Sequence, residues 1–247
     1  MGAPRRLVPT RERPAPGPNR SGRAPGATLA RMDRLPEAKW DAVLAALERW
    51  GLLVAQDAKL PSVTAIVAGE PVVGSWWPHP ASGEIYDCFG RLDKTTKTFS
   101  ARLLDGKWVY VHERLVPSVH AVAVPGEPWQ EGGLSRDAMQ LLRKIRAEGE
   151  IRTDAAPDAG ARRAIAKAAT DLECRLLAES RQTHTADGHH TRFVSAWVIP
   201  PGMKLPTVEK ARKKLEDAVK ALNEAHDAAV KLPWQRPASP RRRVRRS

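Results

Sequence analysis

Two cysteines are all this 247-residue chain contains, Cys88 and Cys174, and neither sits at metal-ligand spacing. A disulfide framework and a zinc finger are thereby excluded, and a pair of reduced, buried thiols in a cytosolic protein is expected. Long apolar runs are also missing. None approaches the roughly 18 residues of a membrane span, and no apolar stretch follows the N-terminal arginines as it would in a secretory signal. A cytoplasmic protein with no membrane partner is the expectation, and association with the nucleoid is compatible with it. Phosphate-binding and nucleophile loops are absent: there is no Walker A sequence, GxSxG elbow or GxGxxG turn, and His112-Glu113 lacks the second histidine of HExxH. No cofactor and no resident metal are expected. Aromatics make up only 5% of residues, but eight are tryptophan, which argues for packed cores.

What the chain has in excess is positive charge, a formal +13 with a pI of about 10.3. Its distribution matters more than its sum. Residues 1–31 hold seven arginines against one glutamate, and residues 231–247 hold six arginines and a lysine with no acid. The body between them carries 27 basic and 27 acidic residues and is formally neutral. Nucleic-acid binding by the body must therefore rest on local patches. Both ends are rich in proline and arginine without periodicity: a basic arm over 1–31 and an Arg-rich tail over 232–247, each expected to lack fixed structure.

Ordinary globular patterning begins near Met32-Asp33. Pro36 to Trp50 has Trp40, Val43, Leu44 and Leu47 on one helical face with Gly51 behind it. Leu52-Leu53-Val54 suggests a short buried strand, Trp76-Trp77 a rigid aromatic loop, and Ser82 to Leu92 a helix. Thr98–Leu104 and Lys107–His112 form a hairpin about Asp105-Gly106. A helix follows from Pro117, then a Pro/Gly linker over 125–133.

The most telling stretch runs from Leu134 to Trp197. Ser135 or Asp137 opens a helix whose apolar stripe includes Met139, Leu142 and Ile145, and Gly149 stops it. Ile151-Arg152-Thr153 is a short extended link. Ala161 to Ala178 forms a second helix, and Leu176–Gln182 pairs with His190–Trp197 around Ala186-Asp187-Gly188. Helix, strand, helix and hairpin in that order define a winged helix. The expected class is α+β, with winged-helix modules over 32–128 and 134–198 and an amphipathic helix over 206–231, capped by Thr207. That last helix is expected to pack on the wing domain or to pair with a partner, including a second copy.

A winged helix places a helix in the DNA major groove and a hairpin beside it. Candidate contacts on the second helix are Arg162, Arg163 and Lys167, and on the wing Arg181, His184, His189, His190 and Arg192. Arg241, Arg242, Arg243, Arg245 and Arg246 can neutralise phosphates without reading sequence. Each set has a plain alternative: a solvated charged face, a polar hairpin tip, a solubilising tail. Three histidines near one turn lack the cysteine or carboxylate partners usual for zinc.

Several segments together resemble AlkZ-related proteins, bacterial winged-helix relatives of the AlkZ-type DNA glycosylases. They are Leu60-Pro61-Ser62, the Trp76-Trp77 loop, Phe89-Gly90-Arg91-Leu92, Lys97 to Leu103, Leu115 to Ala121, and Gly133 to Ala138 with the helix after it. The likeness covers about residues 35–198. It implies contact with duplex DNA and a place in repair or genome maintenance. The Gln–apolar–Gln or Gln–apolar–Asp motif by which those glycosylases position water is missing: Gln56 directly precedes Asp57, and Gln130, Gln140, Gln182 and Gln235 lack the spacing. Three readings stand: a DNA-binding protein without catalysis; a glycosylase-like enzyme using the Trp76–Asp87 region, with Glu84 or Asp87 as its acid; and a protein-interaction module.

Overall fold

A computed structural model describes residues 34–184 and 190–236, without the side chains at 182–184 and 190. Helix α1 (Glu37–Trp50) starts behind Pro36 and ends on Gly51, whose N–H donates to Leu47 O at 2.7 Å. Gly51 takes φ 74°, and a Cβ there would lie 2.7 Å from Leu115 Cδ1, so only glycine fits this stop. Strand β1 (Leu52–Val54) follows, then α2 (Val63–Ala68), α3 (Ser82–Lys94) and the hairpin of β2 (Thr98–Leu104) with β3 (Lys107–His112). Ser62 caps α2 by accepting from Ala65 N at 3.2 Å. Asp105 and Gly106 both have positive φ, 49° and 77°, as a two-residue turn matched to strand twist requires. The three strands form an antiparallel sheet in the order β1-β3-β2.

Two helices, α4 (Val116–Ala123) and α5 (Pro128–Glu131), lead to a second series: α6 (Arg136–Glu148), β4 (Glu150–Arg152), α7 (Ala159–Cys174), β5 (Glu179–His184) and β6 (His190–Ser195). Its antiparallel sheet runs β4-β6-β5, again with the last strand in the middle. The chain thus lays down a helix, a strand, further helix and a hairpin twice, with two helices (α2, α3) before the first hairpin and one (α7) before the second. A final helix, α8 (Val208–His226), and a short 3₁₀ turn at Pro233–Gln235 complete an α+β architecture with eight α-helices among the described residues. No helix there is long and apolar enough to cross a membrane.

Apolar side chains gather in three clusters. One lies among α1, α2, α3 and β1, around Val43, Leu47, Ile85 and Leu92. A second joins α6, α7 and the second sheet through Leu142, Ile145, Leu172 and Val194. The third combines β2 and β3 with α4 and α8, through Leu103, Val109, Val119, Leu215 and Leu222. Leu176 belongs to this third cluster although it follows α7 in sequence.

Several expected boundaries move, each for a tertiary reason. The strand expected from Leu176 begins at Glu179, and the helix expected to Ala178 ends at Cys174. Between them Leu176 adopts φ 53°, a left-handed conformation that costs a side-chain-bearing residue about 1–2 kcal/mol. That turn buries Leu176 in the first sheet's core and Leu177, its neighbour, in the second's. Gln130, fully buried on α5, donates to Leu176 O and Ala123 O at 3.0 Å and locks the turn. The 125–133 linker therefore contains an ordered helix. Helix α8 stops at His226 rather than 231, because Asp227 is left-handed (φ 45°) and Asn223 exchanges hydrogen bonds with Val230. Its apolar stripe, Ala211, Leu215, Val219 and Leu222, is buried in the first sheet's core beside α4. It does not join the core of the 134–198 unit, where the sequence suggested it would pack, and this stripe is not free to pair with a partner helix.

Truncating Leu176 to alanine removes a plug from a core that cannot close over the gap. The L176A variant should lose about 3 kcal/mol of unfolding free energy in urea titration, whereas a loss under about 0.5 kcal/mol would show that the turn does not join the two cores.

Candidate nucleic-acid interface

Helix α7 starts where Asp158 accepts from Ala161 N at 2.8 Å, a side-chain cap on the first turn. It buries Ala168, Ala169 and Leu172. Arg163 and Lys167, one turn apart, lie on the opposite side, and Arg162 flanks them; all three are exposed. None makes an ion pair or hydrogen bond through its side chain among the described residues. That distinguishes them from most arginines nearby. Arg175 is held by Asp171 at 2.9 Å, Arg152 by Asp154 at 2.8 Å and Arg146 by Glu131 at 2.6 Å. Arg136 and Arg143 on α6 are likewise exposed and without such a partner, and the sequence reading did not select them. Their seven-residue spacing, opposite the Ala138–Leu142–Ile145 stripe, was the available signal.

The arginines of the β5–β6 hairpin, expected to contact DNA, are engaged within the fold. Arg192 turns inward, its Nε donating to Glu173 Oε1 at 3.0 Å and an Nη reaching the same carboxylate. Glu173, 2% exposed, also takes Arg102 Nε of β2 at 2.9 Å and the Ser180 hydroxyl. Arg102 in turn lies over the Trp108 ring at 4.8 Å and donates to Gly106 O at 2.9 Å. Arg192 is thus a structural cation whose guanidinium points away from any external ligand. Arg181 forms a two-pronged pair with Glu150 at 2.9 and 3.1 Å and covers Phe193 at 4.3 Å. That pair is exposed, so its strength is small and a phosphate can compete for it. The side chains of His184 and His190 lie outside the described residues, as do His189 and Arg241, Arg242, Arg243, Arg245 and Arg246.

A narrow cleft opens where the two halves meet, lined by Ser100, Trp108, Glu179, Ser180 and Trp197 with the Arg102–Glu173 pair at its side. Its volume of about 10 Å³ suits roughly one water molecule and no organic substrate. Burial pushes the Glu179 carboxyl up to about 7.

The Trp76–Asp87 region has its carboxylates occupied. Glu84 pairs with Lys39 of α1, and Asp87 accepts Leu35 N at 3.0 Å and faces Arg91 at 3.3 Å. These contacts tie α3 to the start of α1. Trp76 stacks on Trp77 at 4.2 Å and meets Phe89 edge-on at 5.7 Å, so Trp76 is a packing residue, while Trp77 remains 58% exposed. Neither thiol is placed as a nucleophile: burial pushes Cys88 up to about 12 and raises Cys174 as well. Among the described residues no group of three or more His, Cys, Asp or Glu side chains is arranged to hold a metal.

No family model, curated protein or solved structure matches the chain.

Because the folded state raises the Glu179 pKa above the usual carboxylate value, it binds more protons than the unfolded chain between about pH 4.5 and 7. Glu179 then contributes stability that is present at low pH and fades as pH rises through that window. Replacing Glu179 with glutamine should raise the melting temperature at pH 8 and leave it nearly unchanged at pH 5. A gain of equal size at both pH values would contradict an ionisable, desolvated Glu179.

Proposed function

We propose that the chain is a DNA-binding protein without catalytic activity, built from two winged-helix units of which the second meets the DNA. The observation that carries this reading is the set Arg162, Arg163 and Lys167, exposed and unpaired among the described residues on the helix that precedes the β5–β6 hairpin. A helix–strand–helix–hairpin order with the last strand central supports the winged-helix assignment. In that arrangement α7 is the groove helix.

The first unit is unsuited to the same task. Its corresponding helix, α3, carries Glu84, Asp87 and Asp93 against Arg91 and Lys94. Its hairpin tip at Asp105-Gly106 is covered by Cys174 and by Lys231 to Arg236. The first unit serves as a platform for the second. A role in repair or genome maintenance extends this reading through the likeness to AlkZ-related proteins. Base excision is a poor fit, because Glu84 and Asp87 are engaged in helix-joining contacts and the water-positioning motif is missing.

Fluorescence anisotropy of the full chain on a duplex of about 30 base pairs, across a sodium chloride series, tests the proposal. Each phosphate neutralised contributes about 0.9 to the salt slope, so the triple change R162A/R163A/K167A should lower it by about 2–3 and weaken binding at every salt concentration. Changing Lys210 and Lys220 on α8 to alanine should leave binding unaltered. A triple variant with the parent's slope would remove α7 as the contact.

A further inference from the structure

The two sheets approach each other at strands that lack a neighbour on one side. β2 ends the order β1-β3-β2, and β5 ends the order β4-β6-β5. The cleft between the halves lies where these edges come together: Ser100, Ala101 and Arg102 line it from β2, and Ala178, Glu179 and Ser180 from the chain entering β5. No backbone hydrogen bond crosses from one edge to the other among the described residues, so the two sheets stop short of joining into one. Trp197, just beyond β6, also lines the cleft. Its ring is held by the first half, with Phe99 at 5.3 Å and His120 edge-on at 5.1 Å. Its indole N–H is buried and has no hydrogen-bond partner among the described residues. A buried donor left unpaired is costly, and native structures give such groups an acceptor from protein or from water. Glu179 supplies the opposite chemistry. Burial alone raises its pKa, with no cation or hydrogen-bond donor among the described residues to offset that. The guanidiniums of the neighbouring cluster, Arg102 and Arg192, are turned to Glu173.

We infer that this cleft is a binding site for a single water molecule, which accepts the Trp197 indole N–H, hydrogen-bonds the Glu179 carboxyl and fills the gap between the β2 and β5 edges. The inference stands apart from what α7 binds. Size and chemistry select the ligand. A volume of about 10 Å³ admits one water and nothing larger. A metal ion would need a group of carboxylates, imidazoles or thiols, and the described residues hold none. An anion would meet the carboxylates of Glu173 and Glu179. Water alone accepts from an indole and also donates to, or accepts from, a carboxyl in either protonation state. The seam between the halves is thereby satisfied in two ways. At Glu173 the charged side chains pair directly, and beside it a bound water bridges donor and acceptor that do not reach each other.

Water-selective NOE spectroscopy of the full chain, labelled with ¹⁵N-tryptophan, tests the site in the unaltered protein. The Trp197 indole N–H should show a cross-peak to water with the sign of a slowly tumbling partner, as a bound molecule gives and surface hydration does not. Oxygen-17 relaxation dispersion counts long-lived waters by their oxygen, so exchanging hydroxyl protons of Ser100 and Ser180 do not contribute. That count should fall by about one in E179L, which removes the polar partner, and stay at the parent value in E179Q, which keeps one. A parent protein without the Trp197 cross-peak overturns the inference, whether or not E179L folds. A folded E179L with the parent's count and cross-peak overturns it as well, because Glu179 would then hold no water.

Discussion

A single buried carboxylate holds the two halves together. Glu173 leaves α7, accepts Arg102 from the first sheet and Arg192 from the second, and takes the Ser180 hydroxyl as well. Two guanidiniums on one desolvated carboxylate satisfy its lone pairs, but each ion loses its hydration to be there. Such a cluster adds little net stability over an apolar contact. It is intolerant of losing one member, since the remaining charges stay buried and unpaired at a cost of about 3–5 kcal/mol. Its value is in orientation: α7 has one azimuth relative to both sheets in which Glu173 meets both arginines. That azimuth points Arg163 and Lys167 to solvent. The left-handed turn at Leu176 and the buried amide of Gln130 fix the same geometry from the next residues along.

The result is an unequal pair built on one plan. In the first repeat, the hairpin tip is contacted by Cys174, Lys231 and Arg236, and α3 is tied to the start of α1 by Glu84, Asp87 and Arg91. In the second, the corresponding helix keeps its cations free. Where the first unit pairs Arg91 and Arg102 internally, the second leaves two arginines and a lysine on the outside of α7. Function, on this account, follows from which charges the packing consumes and which it leaves over.

Local features of this architecture were legible in the sequence. Asp105-Gly106 announced a two-residue hairpin because few other pairs tolerate two positive φ values, and a cap at Ser135 or Asp137 with Gly149 behind the apolar stripe bounded α6, where Ser135 proves to be the cap. The exposed positions of Arg162, Arg163 and Lys167 followed from helical spacing. Long-range partnerships were not legible. Nothing near Arg192 in sequence says that it pairs with a glutamate nineteen residues earlier, nor that Arg102, seventy-one residues away, shares it. Leu176 reads as the first residue of a strand until the cost of its left-handed turn is set against the core it enters. The apolar stripe of α8 suggested packing on the 134–198 unit or on a partner helix, and neither shows the surface of α4 and the first sheet that it meets.

Amide chemical-shift mapping of the full chain with a duplex of about 30 base pairs, near physiological salt, tests the central claim most directly. The account predicts that the largest perturbations fall on Ala159 to Lys167, and that α3 stays silent. Perturbations confined to the two termini, or centred on α3 and the Trp76-Trp77 loop, would contradict it.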